Sequence, residues 1–298
     1  MKFLITGASG QLGSELQRQL AEGGSALGAI PVQLHQTTVL ATDSPELDIT
    51  DRKAVLEYMN QHRPDVVINC AAFTNVDGCE NQREAAFAVN ALGPANLAFG
   101  ANQVGAKMIH VSTDYVFSGE GNQPLDEAEP IAPVSAYGKT KALGEQYVMQ
   151  QCPHSFVVRT AWLYGYQGKN FVKTIVNAAK KFGKLEVVSD QLGNPTNAED
   201  LAHHLLQLAV SDQYGIYHCT GEGICSWYDF AARIVELAGV DATVSPCTSE
   251  EYAQKHPEAA RRPAWSALEN RMLALTVGNG MRHWEQALEH FFEHWDGQ

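Results

Sequence analysis

The first half of the chain alternates short apolar runs with longer segments that carry apolar residues at helical spacing. The runs are rich in β-branched residues and continuously apolar, which is typical of strands covered on both faces of a parallel sheet. Strands are predicted at 2–6, 38–42, 65–70, 107–112 and 155–160. Helices are predicted between them, at 11–22, 51–62, 82–104 and 135–150. This alternation predicts an α/β fold in which crossover helices cover a parallel sheet.

Beyond about residue 160 the alternation is less regular, with helices predicted at 170–182, 198–210 and 227–238 and strands at 185–188 and 214–219. The last predicted helix, 283–294, has a core face of apolar residues at helical spacing, namely Trp284, Leu288, Phe291, Phe292 and, just beyond it, Trp295. We therefore predict a Rossmann-type doubly wound sheet over 1–165, which some later segments rejoin. A smaller C-terminal substrate-binding lobe is predicted mainly from 166–298. Residues 23–36 are Gly-rich and aperiodic, and are predicted to be a surface insertion.

Composition narrows the class of function. The 298 residues are 45% hydrophobic, enough for a substantial core, and carry a formal net charge of −13. This charge argues against a nucleic-acid partner, which requires a concentrated basic surface. Six cysteines without CxxC spacing favour a reducing compartment. No apolar run approaches the roughly 20 residues that cross a bilayer, and the N-terminal run is too short for a signal peptide. We expect a cytoplasmic protein without a membrane partner.

A glycine-rich turn follows the first predicted strand. Gly7, Gly10 and Gly13 are spaced as GxxGxxG, directly before the first predicted helix. Glycines allow a tight turn and let backbone N–H groups approach a pyrophosphate at a helix N-terminus. Turns also use glycine without any ligand, but this placement favours a dinucleotide site.

The residue expected near the adenosine ribose is Asp43, at the end of the second predicted strand. An acidic residue there favours a free 2′-hydroxyl and hence NAD, although an ordinary solvated aspartate is an equally good interpretation. The choice between NAD(H) and NADP(H) stays open. Small residues, Ala71 and Ala72, follow the third strand and would let a cofactor pass closely; a tightly packed strand end explains them equally well.

Tyr137 and Lys141 form a YxxxK pair at the start of a predicted helix, where four-residue spacing puts both on one face. A tyrosine pKa near 10 is too high for acid–base work at neutral pH, and a nearby ammonium would lower it. YxxxK alone is common on helix surfaces. Thr113, however, follows the fourth predicted strand, where its hydroxyl could align a carbonyl oxygen with Tyr137. Glycine turn, strand-end hydroxyl and YxxxK together predict nicotinamide-dependent ketone chemistry.

These motifs resemble the extended short-chain dehydrogenase/reductase superfamily, and within it the ketoreductases of deoxysugar nucleotides. The resemblance covers almost the whole chain. Its segments include ITGASGQLG at 5–13, ELDITD at 46–51, PDVVINCAAFTNVD at 64–77, AVNALGPANLA at 88–98, VSTDYVFSG at 111–119, YGKTKALGE at 137–145, RTAWLYG at 159–165, NPTNAEDLA at 194–202 and RRPAWSAL at 261–268. It implies NAD(P)H-dependent reduction of dTDP-4-dehydro-L-rhamnose to dTDP-L-rhamnose, for cell-surface polysaccharide synthesis, with Tyr137 as proton donor.

The resemblance also implies roles for individual residues. Thr113, Tyr137 and Lys141 are the implied catalytic residues. Cofactor contacts are implied for Gly7, Gly10, Gln11, Leu12, Asp43, Asp48, Ile49, Ala71, Ala72, Thr74, Asn90, Tyr137 and Lys141. Substrate contacts are implied for Thr113, Asp114, Tyr115, Trp162, Arg262 and Ser266. Trp162 could instead be a core residue, and Arg262 could be a solvated charge.

Two alternatives remain within the same resemblance: a sugar-nucleotide epimerase or dehydratase, and a non-catalytic regulatory subunit. Some members hold magnesium at a dimer contact through glutamates, and Glu199 lies in the matching segment. Carboxylates at helix starts usually complement the helix dipole, so no metal is predicted. His290 and His294 share a helical face, but the sequence shows no third ligand beside them. A homodimer is possible.

Overall fold

The computed structural model describes residues 1–297 and places a six-stranded parallel sheet at the centre of the molecule. Its strands are β1 (Lys2–Thr6), β2 (Thr38–Thr42), β3 (Val66–Asn69), β4 (Lys107–Thr113), β5 (Ser155–Thr160) and β6 (Gly215–His218). The strand order is β2–β1–β3–β4–β5–β6, and every neighbouring pair is parallel. The predicted Rossmann-type sheet is confirmed, and β6 shows a late segment rejoining it.

Helices cover both faces of this sheet. The longer ones are α1 (Gln11–Glu22), α2 (Arg52–His62), α3 (Gly93–Val104), α4 (Ala136–Gln151), α5 (Phe171–Phe182), α6 (Ala198–Ala209), α7 (Trp227–Leu237) and α8 (Trp284–His294). Because side chains alternate along a strand, Phe3 and Ile5 of β1 pack with α1 and α6, whereas Leu4 packs with α2 and α3 on the other face. The two cores that result explain why the central strands are mostly apolar on both faces.

Shorter elements complete the chain. Short helices lie at Val76–Asn81, Arg83–Phe87, Ser249–Lys255 and Arg271–Leu275, 3₁₀ turns at Val32–Leu34 and Asp114–Val116, and a π-helical turn at Ala88–Leu92. Short strands lie at Gly24–Ser25, Gly28–Ala29, Leu163–Tyr164, Lys184–Val188, Leu192–Gly193, Thr196–Asn197, Cys225–Ser226 and Thr243–Cys247. Lys184–Val188 and Thr243–Cys247 pair in parallel, beside α5 and α7.

A third core lies among α5, α7 and α8, away from the central sheet. It buries Tyr164, Phe230, Trp284 and Phe291, whose rings stand in tilted or edge-on contact. The predicted core face of the last helix is therefore confirmed. The division of the chain into a cofactor domain and a substrate lobe stays a prediction.

Two sequence-based expectations need correction. The predicted helix 82–104 is interrupted by the π-helical turn at Ala88–Leu92, so Asn90 lies where the helix widens. Residues 23–36 are more than a surface insertion, because Ile30 and Leu34 are buried in the core beside α1. The apolar content of that segment, rather than its periodicity, was the signal for burial.

The topology determines where a ligand can bind. Strand order reverses at β1, which lies between β2 and β3 in the sheet. The chain leaves β1 into α1 on one face of the sheet, whereas it leaves β2 and β3 into helices on the opposite face. In such sheets a crevice opens outside the carboxyl ends of the strands at the reversal. Thr6, Thr42, Thr113 and Thr160 end four of the strands at this edge.

Candidate active site

A cleft of about 780 Å³ opens at the carboxyl edge of the sheet. It brings together most residues predicted for the site: Gly7, Gly10, Gln11, Leu12, Asp43, Asp48, Ile49, Ala71, Ala72, Thr74, Thr113, Asp114, Tyr115, Tyr137, Lys141 and Trp162. Asn90, Arg262 and Ser266 are not among the residues that line it. Segments far apart in sequence thus meet in one groove.

The glycine turn forms one end of the cleft. Gly7 adopts the left-handed conformation, with φ +67°, and the Gly10 N–H donates to the Gly7 carbonyl at 3.1 Å. Helix α1 begins with neither a side-chain cap nor an acidic residue in its first turn. Its first N–H groups are therefore left for an anion, and the helix dipole favours one there.

The glycines of this turn let its backbone pack closely against neighbouring backbone. A Cβ on Gly7 would lie 2.7 Å from the Ala71 nitrogen, and one on Gly13 would lie 2.3 Å from the Gly7 carbonyl oxygen. Ala71 and Ala72 continue the same surface past the end of β3. The close packing of turn, helix and strand end leaves an open backbone surface of the kind that binds a pyrophosphate.

Asp43 lies where the sequence placed it, at the end of β2 on the cleft. Its carboxylate accepts a hydrogen bond from the Ser9 N–H, at 3.1 and 3.3 Å from its two oxygens. The Asp43 N–H in turn donates to Glu46 at 3.0 Å. The carboxylate therefore supports the glycine turn, a structural role that the sequence did not reveal.

Thr113 and Tyr137 lie at the end of a strand and at the start of a helix, respectively. Thr113 ends β4; its hydroxyl accepts from the Tyr115 N–H at 3.2 Å and donates to Asp114 at 2.9 Å. Ser135 caps α4 by accepting from the Gly138 N–H, which puts Tyr137 in the first helical turn. The rings of Tyr115 and Tyr137 meet edge to face with centroids 5.5 Å apart.

Burial sets the protonation states of Tyr137 and Lys141. Burial raises the pKa of the Tyr137 phenol, and the hydrogen bond with the Thr113 hydroxyl acts in the opposite direction. Burial also lowers the pKa of Lys141 to about 8, against the attraction of Glu145. The lowering of the Tyr137 pKa that the YxxxK spacing predicted is therefore not found: burial raises this pKa instead, and the Lys141 ammonium donates to the Val111 carbonyl at 2.6 Å. Tyr137 is a protonated phenol at neutral pH, as a proton donor must be.

Asp114 is the buried carboxyl of the site. Burial raises its pKa to about 6, against hydrogen bonds that include those of the Ser266 and Thr113 hydroxyls. Ser266 does not line the cleft, but it thereby influences a residue that does. A carboxyl with this pKa changes charge within the physiological range.

Two other predicted residues act behind the cleft. Asn90 accepts from the Phe73 N–H at 2.8 Å and donates to the Phe73 carbonyl at 3.1 Å, which supports the loop after β3. Arg262 binds both carboxylate oxygens of Asp77 at 3.1 Å. Its guanidinium, for which the resemblance implied a substrate contact, is therefore paired with a protein carboxylate.

Trp162 lies on the cleft in the left-handed conformation, with φ +48°. Its ring stacks on that of Trp227, with centroids 3.5 Å apart and planes within 8°. The core interpretation of Trp162 is thus partly correct, since one face is covered. Sequence reasoning missed Trp227 and Lys169, which also line the cleft. Their positions at the starts of α7 and α5 were the available signal.

Glu199, which lies in the segment that matches the family's magnesium contact, is surrounded by donor groups of this chain. One carboxylate oxygen accepts from Arg18 at 2.9 Å and from the Ala26 N–H at 3.0 Å. The other lies 3.2 Å from His290 and 3.5 Å from Arg282. The carboxylate is thus already paired with cationic groups. Beside His290 and His294 the structure places Glu293, a third donor that the sequence argument missed.

Within residues 1–297, no helix combines the length and the apolar character that a membrane span requires. The model of a known protein family, the RmlD substrate binding domain, matches residues 1–296. The chain belongs to the RmlD substrate-binding domain family. The resemblance inferred from the sequence motifs is confirmed.

The similar proteins align over nearly their whole length. The chain is 40% identical to the spore coat polysaccharide biosynthesis protein SpsK of Bacillus subtilis, over 98% of this chain and 97% of that protein. It is 48% identical to the crystal structure of a dTDP-4-dehydrorhamnose reductase from Clostridium acetobutylicum, with a TM-score of 0.91, covering 98% and 99% of the two chains. A dTDP-4-dehydrorhamnose reductase from Bacillus anthracis, solved in complex with NADP, is 38% identical, with a TM-score of 0.89 and 98% coverage of both chains.

Proposed function

We propose that this protein is a dTDP-4-dehydrorhamnose reductase that uses NADP(H) and converts dTDP-4-dehydro-L-rhamnose to dTDP-L-rhamnose. The observation that carries the proposal is the convergence of Thr113, Tyr137 and Lys141 with the open glycine turn in one cleft. Family membership and the NADP complex of the Bacillus anthracis relative support the choice of substrate class and cofactor.

The residues divide the work between binding and proton transfer. The N-terminus of α1 and the backbone of Gly7 and Gly10 would hold the cofactor pyrophosphate. NADPH, when bound, supplies the hydride that reduces C4 of the keto sugar. Tyr137 would donate its phenolic proton to the ketone oxygen, while the Thr113 hydroxyl hydrogen-bonds to that oxygen and aligns it.

Lys141 would bind cofactor hydroxyls and favour loss of the Tyr137 proton when its ammonium is free of Val111. Trp162 and Tyr115, which both line the cleft, would contact the sugar.

The test is the variant Tyr137→Phe, assayed by NADPH oxidation with dTDP-, UDP- and GDP-linked 4-keto sugars. We expect wild-type protein to prefer the dTDP sugar. The variant should bind NADPH normally and lose turnover by about 10²–10⁴-fold, the range for a lost general acid. Near-wild-type turnover would rule out Tyr137 as the proton donor.

The same panel separates the alternatives. An epimerase or dehydratase would retain oxidised cofactor and act without added NADPH. A regulatory subunit would show no turnover with any sugar, although it would keep a partner enzyme at fixed stoichiometry.

We further propose a cytoplasmic location and a role in polysaccharide synthesis. All six cysteines are unpaired thiols, as a reducing compartment favours. The name of the Bacillus subtilis relative points to the same pathway class. A homodimer and the absence of a nucleic-acid partner stay predictions, which gel filtration and a binding assay would test.

A further inference from the structure

A buried ion pair lies behind the catalytic residues. Glu145 on α4 and Arg159 on β5 expose only 4% and 3% of their side chains. Arg159 Nη2 donates to Glu145 Oε2 at 2.8 Å and Arg159 Nε donates to Glu145 Oε1 at 3.0 Å, a two-pronged contact. Removing two charges from water costs several kcal/mol per ion, so a buried pair is weak evidence for stability. It calls for another explanation.

The remaining contacts hold Arg159 in one orientation. His218 Nδ1 lies 3.0 Å from the Leu125 carbonyl and must therefore carry the ring proton. Its Nε2 can then accept from Arg159 Nη1 at 3.5 Å. The guanidinium also lies 5.1 Å from the centre of the Phe117 ring. Burial and Arg159 lower the pKa of His218 to about 3, so this ring stays neutral and acts only as a support.

The pair reaches the catalytic lysine through α4 and β4. Lys141 and Glu145 are one helical turn apart and bind consecutive residues of β4. The Lys141 ammonium donates to the Val111 carbonyl, and the Ser112 hydroxyl donates to Glu145. Thr113 is the next residue on that strand. These contacts therefore join the strand that ends in Thr113 to the helix whose first turn holds Tyr137.

The charges around Lys141 are few. Cys70, just after β3, is half-buried and His110 on β4 is buried; desolvation raises the thiol pKa to about 12 and lowers the imidazole pKa well below its usual value. Both groups are therefore neutral. Glu145, one turn further along the same helix, is the carboxylate whose charge favours the Lys141 ammonium, and it is itself paired with Arg159 on β5. Burial opposes the charge on Lys141, and Glu145 favours it.

We propose that Glu145, oriented by Arg159, is a positioning residue that keeps Lys141 protonated and aligned in the active site. The inference rests on the proposed role of Lys141. This role explains why the buried pair is present, which its contribution to stability does not. The Lys141 ammonium, although desolvated, stays charged near neutral pH because the Glu145 carboxylate lies nearby.

The experiment is a titration of Lys141 in the free protein. Protein labelled with ¹³C at lysine Cε would be followed by NMR across pH, and Lys141→Met would assign the resonance by its loss. In Glu145→Gln we expect the midpoint to fall by about one pH unit or more, as expected for loss of a nearby opposite charge. In Arg159→Gln it should rise, because Glu145 loses its counter-ion.

Exposed Glu57, paired with Lys53 on α2, provides the matched control: Glu57→Gln should leave the midpoint unchanged. If Glu145→Gln does not fold, Glu145→Gln/Arg159→Gln leaves no unpaired buried charge, and its midpoint should still lie below that of the wild type. A wild-type midpoint in a folded variant that lacks Glu145 would overturn the inference. Because the titration needs no turnover, that result would leave the reductase proposal, tested by Tyr137→Phe, unaffected.

Discussion

The variant Gly7→Ala tests whether the open glycine turn is the cofactor site. Gly7 has a φ of +67°, and a Cβ there would lie 2.7 Å from the Ala71 nitrogen and 2.9 Å from both the Ala71 Cα and the Cys70 carbonyl carbon. All three are backbone atoms of the chain leaving β3. No side chain can rotate away to relieve the contact, so the turn and the strand end must move apart.

The magnitude has two parts. Left-handed backbone costs a residue with a Cβ about 1–2 kcal/mol, and overpacking of a dense site adds about 1–3 kcal/mol. The matched control is Gly23→Ala at the end of α1, where φ is +80° and a Cβ would meet nothing within 4 Å. Gly23→Ala should therefore show the backbone cost alone, about 1–2 kcal/mol.

Urea unfolding gives the two stabilities, and titration of NADPH fluorescence gives its Kd. We expect Gly7→Ala to lose about 2–5 kcal/mol of stability and to bind NADPH at least about tenfold more weakly, which corresponds to about 1.4 kcal/mol of lost contact. Gly23→Ala should bind NADPH as wild type does. Equal stability losses in the two variants, or unchanged NADPH binding by folded Gly7→Ala, would refute the argument.

Three further predictions concern the cleft. Burial raises the pKa of Asp114 to about 6, so its contribution to the free energy of unfolding falls as pH rises from about 4 to about 6. Asp114→Asn should remove that fall of about 1–3 kcal/mol, which urea unfolding at pH 4 and pH 8 would measure. A variant that still loses the same stability between the two pH values would contradict the assignment. Trp227→Ala removes the ring stacked on Trp162, so KM for the sugar nucleotide should rise about tenfold while the Kd of NADPH is unchanged. Trp227→Phe should restore much of the loss, and equal weakening of both ligands would indicate general unfolding instead. Asp43→Asn keeps an acceptor for the Ser9 N–H but removes a negative charge, so binding of NADPH should improve relative to NADH, and an unchanged ratio of the two Kd values would place Asp43 away from the ribose.

Local chemistry along the chain determined much of this fold. Strands β1 to β5 are mostly apolar runs, and a parallel sheet is the arrangement that covers both faces of such strands. Asp51, the first residue of the predicted helix 51–62, caps the observed helix, and its carboxylate accepts from the Lys53 and Ala54 N–H groups. The order of glycine turn, Thr113 and YxxxK was enough to bring them to one edge, since parallel strands all end on the same side.

Tertiary structure decided what depends on neighbours distant in sequence. The periodicity of 82–104 gave no sign of the π-helical turn that directs Asn90 to the Phe73 backbone. Residues 23–36 lack periodicity, yet Ile30 and Leu34 are buried because α1 and α6 leave space for them. Spacing in sequence cannot report such packing.

The ionisable residues most clearly separate what the sequence determined from what the tertiary structure decided. The sequence identified Lys141 beside Tyr137, but the pKa of each depends on burial and on partners that only the fold supplies. The resemblance implied a substrate contact for Arg262, and the fold pairs its guanidinium with Asp77, 185 residues away. No pattern in the sequence predicted a role for Glu145 or Arg159, because their ion pair forms only once strand and helix pack together and exclude water.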